Sequence, residues 1–220
     1  MVVYVDRDRL QFYGGAFEKI ENLVFADNFV KDLEVIDKNA LIGAISSFVN
    51  VNHAEANLVL IFSDTVSFLM EIPANLSKEQ FDTKEKTFYG SVPFAEIATK
   101  LIKTQSGYVA VAVNWELIKV VREALGIKGF KLVATIPSFV VDGFDRQLGL
   151  TDKIFSVVFS KIDIIKNYDF SDQETFNLAK ATATANKPVM RSLKLKPVHI
   201  LLVIFVMLIV VFVGLVFIRR

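Results

Sequence analysis

The sequence of 220 residues contains no cysteine, only two histidines and five prolines. The absence of cysteine excludes disulfide bonds, cysteine-ligated zinc sites and a thiol nucleophile. The sequence also lacks the glycine-rich phosphate loops, the serine-hydrolase elbow and the paired-histidine zinc motif that mark common enzyme classes. We therefore expect a protein that is not an enzyme and that holds no cofactor and no metal ion.

Apolar residues, by contrast, are abundant and make up 53% of the sequence. The longest apolar run covers residues 198–218 without one charged side chain. About 21 residues at about 1.5 Å per residue match the roughly 30 Å hydrocarbon layer, so this run predicts a transmembrane helix. Because no basic leader precedes an apolar core at the start, we expect no signal peptide and an anchor at the tail. The predicted anchor positions are Val198, Leu202, Phe205, Leu208, Phe212, Leu215 and Ile218.

Charge is divided unevenly along the chain, although the net charge is only +1. Residues 1–174 carry 18 basic and 24 acidic side chains, whereas residues 175–220 carry seven basic and no acidic ones. A basic flank predicts a cytoplasmic N-terminal domain on a single-pass protein of the cytoplasmic membrane, and it also predicts binding to anionic lipids. The acidic folded part makes nucleic-acid binding unexpected. The juxtamembrane basic residues are Lys187, Arg191, Lys194 and Lys196.

The sequence before the anchor predicts an α/β domain over residues 1–170 and a basic linker over residues 171–197, followed by the transmembrane helix over residues 198–218. Runs of apolar and β-branched residues predict strands at 2–5, 10–13, 20–25, 58–62, 66–72, 108–113 and 131–136. Asp37 and Asn114 each precede an amphipathic stretch and predict helices over 38–49 and 115–125. The run at 58–62 is continuously apolar, which is typical of a strand buried on both faces.

Other segments are harder to assign. Residues 94–102 fit a helix or a strand, and residues 77–82 begin with the capping-box pattern Ser-Lys-Glu-Gln. A helix is predicted from Ser138 to about Leu148, and residues 154–159 and 162–168 are predicted as a hairpin or two short strands. The order of segments 108–113, 115–125 and 131–136 predicts a βαβ crossover with two parallel, neighbouring strands.

A family resemblance emerges from the order of these segments. The chain reads VVYVDRDRLQFYG, IDKNALIGAISSFVN, ANLVLIFSDTVSFLMEIP, SVPFAEIATKLI, GYVAVAVN and WELIKVVREALGIKGFKLVATIPSF. Residues 1–147 thereby resemble the first lobe of the type IV pilus assembly PilM family, which is related to the cytoplasmic domain of the type II secretion protein GspL. The resemblance implies a single-lobe actin-like, or ribonuclease-H-like, mixed sheet with flanking helices.

The resemblance also singles out Asp6 as a candidate cofactor-binding residue. In the family, the first strand ends in Asp, and small and hydroxyl residues follow it where the backbone approaches nucleotide phosphates. Here Arg7, Asp8, Arg9 and Leu10 follow instead, and the second lobe is largely missing. Asp6 and Asp8 are either a carboxylate pair suited to Mg²⁺ or an exposed turn balanced by arginines, and we favour the turn.

Aromatic residues and a histidine offer further candidates. His53 is interpreted as a surface residue because no partner nucleophile is visible, and Trp115 as a core residue. Phenylalanine is common, with 20 copies, and several lie near predicted loops, where they either fill the core or form a binding surface. Those phenylalanines are Phe12, Phe17, Phe25, Phe29 and Phe88.

The function expected from the resemblance is that of a membrane-anchored, non-catalytic scaffold. Its place is the inner-membrane platform of a type IV pilus or type II secretion-like machine, and its expected partners are other platform proteins, an assembly ATPase, membrane lipids and a second copy of the chain. Two alternatives stay open. One is a nucleotide-dependent, actin-like ATPase half that completes its site by dimerising, and the other is a general tail-anchored adaptor.

Overall fold

The computed structural model describes residues 1–50 and 56–170, and the backbone of residues 175–177. The strands are β1 (Val2–Val5), β2 (Arg9–Gly14), β3 (Phe17–Val24), β4 (Val30–Lys31), β5 (Glu34–Val35), β6 (Ala56–Phe62), β7 (Ser67–Pro73), β8 (Glu96–Lys103), β9 (Gly107–Asn114), β10 (Phe130–Pro137) and β11 (Thr175–Asn177). The helices are α1 (Lys38–Phe48), α2 (Lys78–Ser91), α3 (Trp115–Ile127), α4 (Asp152–Ser160) and α5 (Ile162–Ile165).

A mixed sheet of five strands has the order β10-β6-β1-β2-β3. Strands β1, β2 and β3 form an antiparallel meander, whereas β6 lies parallel to β1 and β10 lies parallel to β6. This architecture confirms the predicted α/β class with a mixed sheet and flanking helices. The three parallel strands end at the same edge of the sheet, which is called the carboxyl edge below.

Both faces of the mixed sheet are covered, because alternate residues of β1 and β6 enter two separate cores. One core, against α1 and α3, includes Val3, Val5, Leu58, Leu60, Leu41, Ile45 and Val121. The other core, against α4 and α5, includes Val2, Tyr4, Val59, Ile61, Ile154, Val158 and Ile165. The prediction that residues 58–62 are buried on both faces is therefore confirmed.

A second sheet has the order β11-β8-β9-β7, and all of its neighbouring strands are antiparallel. The predicted βαβ crossover is wrong for this reason. Strand β9 has β7 and β8 on its two edges, so it has no edge left for β10, which pairs with β6 in the mixed sheet. Helix α3 carries the chain from one sheet to the other.

The predicted helix caps are confirmed at both positions. Asp37 accepts a hydrogen bond from the amide of Ala40 at 3.0 Å, and the Oδ1 atom of Asn114 accepts from the amides of Glu116 and Leu117 at 2.9 and 3.3 Å. The side-chain Nδ2 group of Asn114 also donates to the carbonyl of Leu33 at 2.8 Å. One buried side chain thus starts α3 and holds the turn between β4 and β5.

The turn held by Asn114 has an unusual backbone. Asp32 and Leu33 have φ angles of +49° and +70°, which is the left-handed region. Positive φ at both central residues is what a two-residue hairpin of the primed type requires, although glycine and asparagine normally provide it. A leucine in this conformation costs roughly 1–2 kcal/mol. The bond to Asn114 and the burial of Leu33 offset that cost.

Two predictions in the last third of the domain are wrong. Residues 154–159 and 162–168 are helical rather than extended, because Thr151 caps α4 and its apolar residues at four-residue spacing face the mixed sheet. The helix predicted from Ser138 stops after a 3₁₀ turn at Ser138–Val140. Gly143 follows with a φ angle of +71°, which turns the chain away from a helix.

The ambiguous segments are resolved by their pairing. Residues 94–102 fall largely in strand β8, which pairs with β9 from Ile97 to Lys103. Ser77 and Gln80 form the predicted capping box, but α2 continues to Ser91, well beyond the predicted segment 77–82. The side chain of Trp115 is buried, and Arg122 lies 5.3 Å over its ring.

The predicted anchor over residues 198–218 and the four juxtamembrane basic residues lie outside the described residues, as does His53. Of the predicted linker, the structure describes only the backbone of β11. Across the described part of the chain, none of the helices combines the length and the apolar character that a membrane crossing requires.

Candidate functional site

The carboxyl edge of the mixed sheet gathers polar side chains that immediately follow three buried strands. Asp6 follows β1, the residues Ser63, Asp64 and Thr65 follow β6, and Ser138 follows β10. Because β1, β6 and β10 are parallel neighbours, the sheet itself brings these three loops together. In α/β sheets this edge is the usual location of a binding site.

Asp6 is the centre of the first cluster at this edge. Its Oδ1 atom accepts hydrogen bonds from the hydroxyls of Ser63 at 3.0 Å and Thr65 at 2.6 Å, and from the amide of Arg7 at 2.9 Å. The two hydroxyls also contact each other at 2.5 Å. Arg9 lies 3.8 Å from Oδ2 of the same carboxylate. The carboxylate of Asp6 is therefore engaged on both oxygens by groups of this chain.

Asp64 is the centre of the second cluster. Its Oδ1 atom accepts from the hydroxyl of Ser138 at 3.1 Å, and its Oδ2 atom lies 2.5 Å from the guanidinium of Arg146. The side chain of Asp64 is only 12% exposed, whereas that of Arg146 is 72% exposed. The solvent-facing group of this cluster is therefore the guanidinium, and the carboxylate lies beneath it.

The pKa of Tyr4, a buried residue of β1, is affected by the charges at the carboxyl edge. The side chain is nearly fully buried, and burial together with the negative charge of Asp6 raises its pKa to about 12. A hydrogen bond with the hydroxyl of Ser63 opposes this rise, and Asp64 adds to it. The phenol therefore stays neutral at physiological pH and contacts the same hydroxyl that donates to Asp6.

Two shallow clefts lie on either side of Arg146. One, of about 340 Å³, is lined by Ser138, Phe139, Val141, Asp142, Gly143, Phe144 and Arg146. The other, of about 330 Å³, lies against the second sheet and is lined by Leu69, Glu71, Val109, Phe139 and Arg146. Phe139 and Arg146 line both clefts, whereas Asp64 lines neither of them.

The sequence prediction and the structure agree on part of this site. Asp6 lies at the carboxyl edge, as its position after the first strand predicts, but Asp8 is exposed and does not join it. The second carboxylate at the carboxyl edge is instead that of Asp64, which lies on the loop after β6. Within the described residues, no group of three or more His, Asp or Glu side chains is placed to hold a metal ion.

Sequence reasoning missed Ser63, Asp64, Thr65, Ser138 and Arg146. A usable signal was present for four of them. The polar tripeptide at 63–65 directly follows a strand buried on both faces, and Ser138 follows the next parallel strand, so both belong at a carboxyl edge. Arg146 has no such signal, because it reaches Asp64 from a loop whose course depends on the tertiary fold.

The phenylalanines that sequence reasoning left open lie mainly in the core. Phe12, Phe25 and Phe29 are buried, and Phe17 and Phe88 pack against the same core while partly exposed. Phe12, Phe17 and Phe48 lie with their ring centroids between 5.2 and 5.9 Å apart. The interpretation as core residues is therefore confirmed over the binding-surface interpretation for Phe12, Phe25 and Phe29.

Comparison with known proteins gives similarity at the level of structure only. No family model and no curated protein sequence matches the chain. The PilM-PilN type IV pilus biogenesis complex is similar at 15% identity and a TM-score of 0.40, over 63% of this chain and 47% of that chain. The cytoplasmic domain of EpsL, an inner membrane component of the type II secretion system of Vibrio cholerae, is similar at 12% identity and a TM-score of 0.39, over 66% of this chain and 59% of that chain. The match spans about half of these solved chains, and at this identity it establishes no function for this one.

Proposed function

We propose that this chain is a membrane-anchored, non-catalytic scaffold that docks partner proteins in the cytoplasm. Its setting would be the inner-membrane platform of a type IV pilus or type II secretion-like machine, as the sequence resemblance over residues 1–147 implies. The proposed partners are other platform proteins, an assembly ATPase, the membrane lipids and a second copy of this chain.

The observation that carries this proposal is the internal engagement of both carboxylates at the carboxyl edge. Asp6 accepts from two hydroxyls and lies beside Arg9, and Asp64 is covered by Arg146. A nucleotide bound with Mg²⁺ needs carboxylate oxygens that face the ligand and phosphate oxygens that meet backbone amides or cations. Here hydroxyls of the chain bind the Oδ1 atom of each carboxylate and an arginine lies beside each Oδ2 atom, which supports an edge that holds three loops in place.

A second support is the distribution of charge and hydropathy after the folded part. Residues 175–220 are basic without an acidic side chain and include the apolar run at 198–218. A long apolar run flanked by basic residues favours a cytoplasmic domain tied to a membrane. Such a domain acts by holding partners near the bilayer.

Membrane attachment is tested by fractionation in a bacterial host. The full chain is compared with a chain that ends at residue 177, and the membranes are washed with alkaline carbonate. We expect the full chain to stay in the washed membranes and the shortened chain to be soluble. A matched variant with Lys187, Arg191, Lys194 and Lys196 changed to Gln keeps the apolar run, and it should still be retained. Release of the full chain by the wash would contradict the anchor.

Docking is tested by pairwise binding. The full chain, purified in a mild detergent, is titrated with each of the platform proteins encoded beside it. We expect saturable binding to at least one of them. The scaffold proposal fails if the anchored chain binds none of these proteins, or if no pilus or secretion genes lie beside its own.

A nucleotide-dependent role is the second candidate, and one observation favours it. Ser63 and Thr65 place two hydroxyls against Asp6, so hydroxyl groups that are absent from the β1–β2 turn are supplied by the loop after β6. Rotation of Arg9 away from Asp6 would open one face of the carboxylate to a Mg²⁺ ion. Direct measurement of ATP binding separates the two candidates.

A further inference from the structure

Asp169 and Phe170 follow the 3₁₀ turn Lys166–Tyr168 and precede strand β11 in the chain. Both bind the outer edge of β10. The Oδ1 atom of Asp169 accepts from the amide of Thr135 at 2.6 Å, and the amide of Phe170 donates to the carbonyl of Thr135 at 2.8 Å. A side chain and a backbone amide thereby satisfy both backbone groups of Thr135, as a neighbouring strand would.

The same two residues also bind the second sheet. The ammonium of Lys100, on β8, donates to the carbonyl of Asp169 at 2.6 Å and lies 5.9 Å from the ring centroid of Phe170. The ring of Phe170 is fully buried and meets Phe62 of β6 edge-on at 5.1 Å. Two consecutive residues therefore contact β6 and β10 of the mixed sheet and β8 of the second sheet.

The chain attaches to the second sheet once more a few residues later. Strand β11 pairs antiparallel with β8, with Thr175 opposite Ala98 and Asn177 opposite Glu96. The two attachments follow each other along the chain, so β11 stands between the Asp169–Phe170 pair and everything that comes after residue 177.

We propose that Asp169 and Phe170 form a latch that couples the attachment of β11 to the joint between the two sheets. When the latch is closed, Phe170 is held beside β8. The chain then leaves from a fixed point, and this favours the pairing of β11 with β8. When the latch opens, the chain before β11 is no longer held at that point, and the pairing of β11 with β8 weakens. The outer edges of β8 and β10 then become accessible together. The latch is a conformational device of residues 1–177 and does not depend on the scaffold role.

A latch of this kind responds to displacement of the chain that follows it. A pull on the segment after residue 177 reaches β11 first and the latch second, before any other part of the domain. Strand β11 pairs with β8 over only three residues, so this pairing breaks first. The displacement then acts on Phe170. Displacement of Asp169 and Phe170 then breaks both hydrogen bonds to Thr135 and the hydrogen bond from Lys100 to the carbonyl of Asp169.

The coupling is tested by hydrogen exchange on the full chain. Asp169→Ala removes the acceptor of the Thr135 amide and should raise exchange about tenfold or more there, since a charge-assisted hydrogen bond is lost. The same variant should also raise exchange in peptides that cover Glu96–Ala98, where β11 pairs. Asp169→Asn keeps an acceptor oxygen at the same position, and we expect exchange within about threefold of the wild type in both places.

A second variant guards against a general loss of stability. Phe170→Leu keeps an apolar side chain but shortens the contact with Phe62 and Lys100, and it should also raise exchange at residues 96–98. Amides of β2, which β1 separates from β6 in the mixed sheet, serve as the internal reference and should not change. Faster exchange at Thr135 with unchanged exchange at residues 96–98 would overturn the proposal, because the two attachments would then be independent.

Discussion

The two sheets of this chain differ in how their residues are covered. In the mixed sheet, all four residues of β1 and the last five residues of β6 are buried, with helices on both faces. In the second sheet, only Ile72 of β7 is buried, the other residues of this strand are half-buried or exposed, and Leu69 is 40% exposed. Helix α2 contributes one buried residue, Tyr89, to its cover. Strands β1 and β6 are therefore covered on both faces, whereas β7 leaves part of one face of the second sheet open.

The polar residues of the two sheets also differ in their surroundings. At the carboxyl edge of the mixed sheet, Asp6 and Asp64 bind hydroxyls and arginines of the chain itself. On the second sheet, Glu71 and Leu69 line a cleft beside Arg146. We infer that polar groups at the ends of buried strands can hold loops in place, even at an edge of the sheet where ligands usually bind.

The largest expected effect comes from core truncation in the two sheets. Leu60→Ala in β6 removes a fully buried side chain and should lower the free energy of unfolding by about 3–4 kcal/mol. Met70→Ala in β7 removes a half-buried one and should cost about 1.5 kcal/mol or less. Urea unfolding of the full chain measures both values. Equal losses would break the comparison between the sheets.

The next effect is a loss of stability in alkali that depends on Tyr4. Its pKa is raised to about 12 in the folded chain from 10.0. A raised pKa means that folding favours the neutral phenol, so this stabilisation is complete below pH 10 and is lost as the pH rises through about 12. The loss amounts to roughly 2–3 kcal/mol.

The measurement is a tyrosinate absorbance titration with unfolding at each pH, and Tyr4→Phe should remove this part of the pH dependence. Tyr89 on α2 gives a second reading of the same kind. Burial and the negative charge of Glu85 also raise the pKa of Tyr89. If Tyr4→Phe leaves the alkaline profile unchanged, the phenol is not as shielded at the carboxyl edge as the structure indicates.

Helix caps give a smaller contrast. Asn114→Ala loses the cap of α3 and the bond to Leu33, and it should cost about 2 kcal/mol. Ser77→Ala loses an exposed cap of α2 and should cost about 1 kcal/mol or less. Thermal unfolding compares the two variants. Asn114→Asp, which keeps the capping oxygen but not the donor to Leu33, should fall between wild type and Asn114→Ala, and full stability of Asn114→Asp would contradict the role assigned to that donor.

The smallest expected effect is at Arg146. The guanidinium is mostly exposed, so Arg146→Ala should cost only about 0.5–1 kcal/mol in unfolding free energy. Arg146→Lys keeps the positive charge and serves as the control, with a smaller loss. Chemical denaturation at low and high salt checks both, because an ion pair with an exposed guanidinium should weaken with salt. A loss above about 3 kcal/mol would mean that Asp64 is far more dependent on this arginine than its surroundings indicate.

The sequence predicts the buried strands and the caps well because their signals are local. The apolar run at 58–62 and the residues Asp37, Ser77 and Asn114 carry their meaning within a few positions. The division into two sheets is not local, since β9 and β10 are separated by one helix and yet pair with different partners. Residues 154–159 combine β-branched residues with four-residue spacing, so strand propensity and helix periodicity conflict there, and packing against the mixed sheet decides.

The candidate site divides in the same way. Asp6 is predictable because it follows the first strand. Arg146 is not predictable, since it meets Asp64 across 82 positions of sequence through a loop without regular structure. The latch is a further example, because Asp169 meets Lys100 and Thr135 only after both sheets have formed.

We propose that groups of the chain itself engage the carboxylates of the carboxyl edge, and that the domain docks proteins instead of binding a nucleotide. The most direct test is titration of the full chain, in a mild detergent with Mg²⁺, by a fluorescent ATP analogue followed by anisotropy. Asp6→Asn is the variant of interest, because it removes the charge but keeps an acceptor for Ser63 and Thr65, and Asp8→Asn is the matched exposed control. We expect no saturable binding up to millimolar analogue for the wild type and for both variants. Saturable micromolar binding by the wild type that Asp6→Asn abolishes and Asp8→Asn preserves would contradict this proposal.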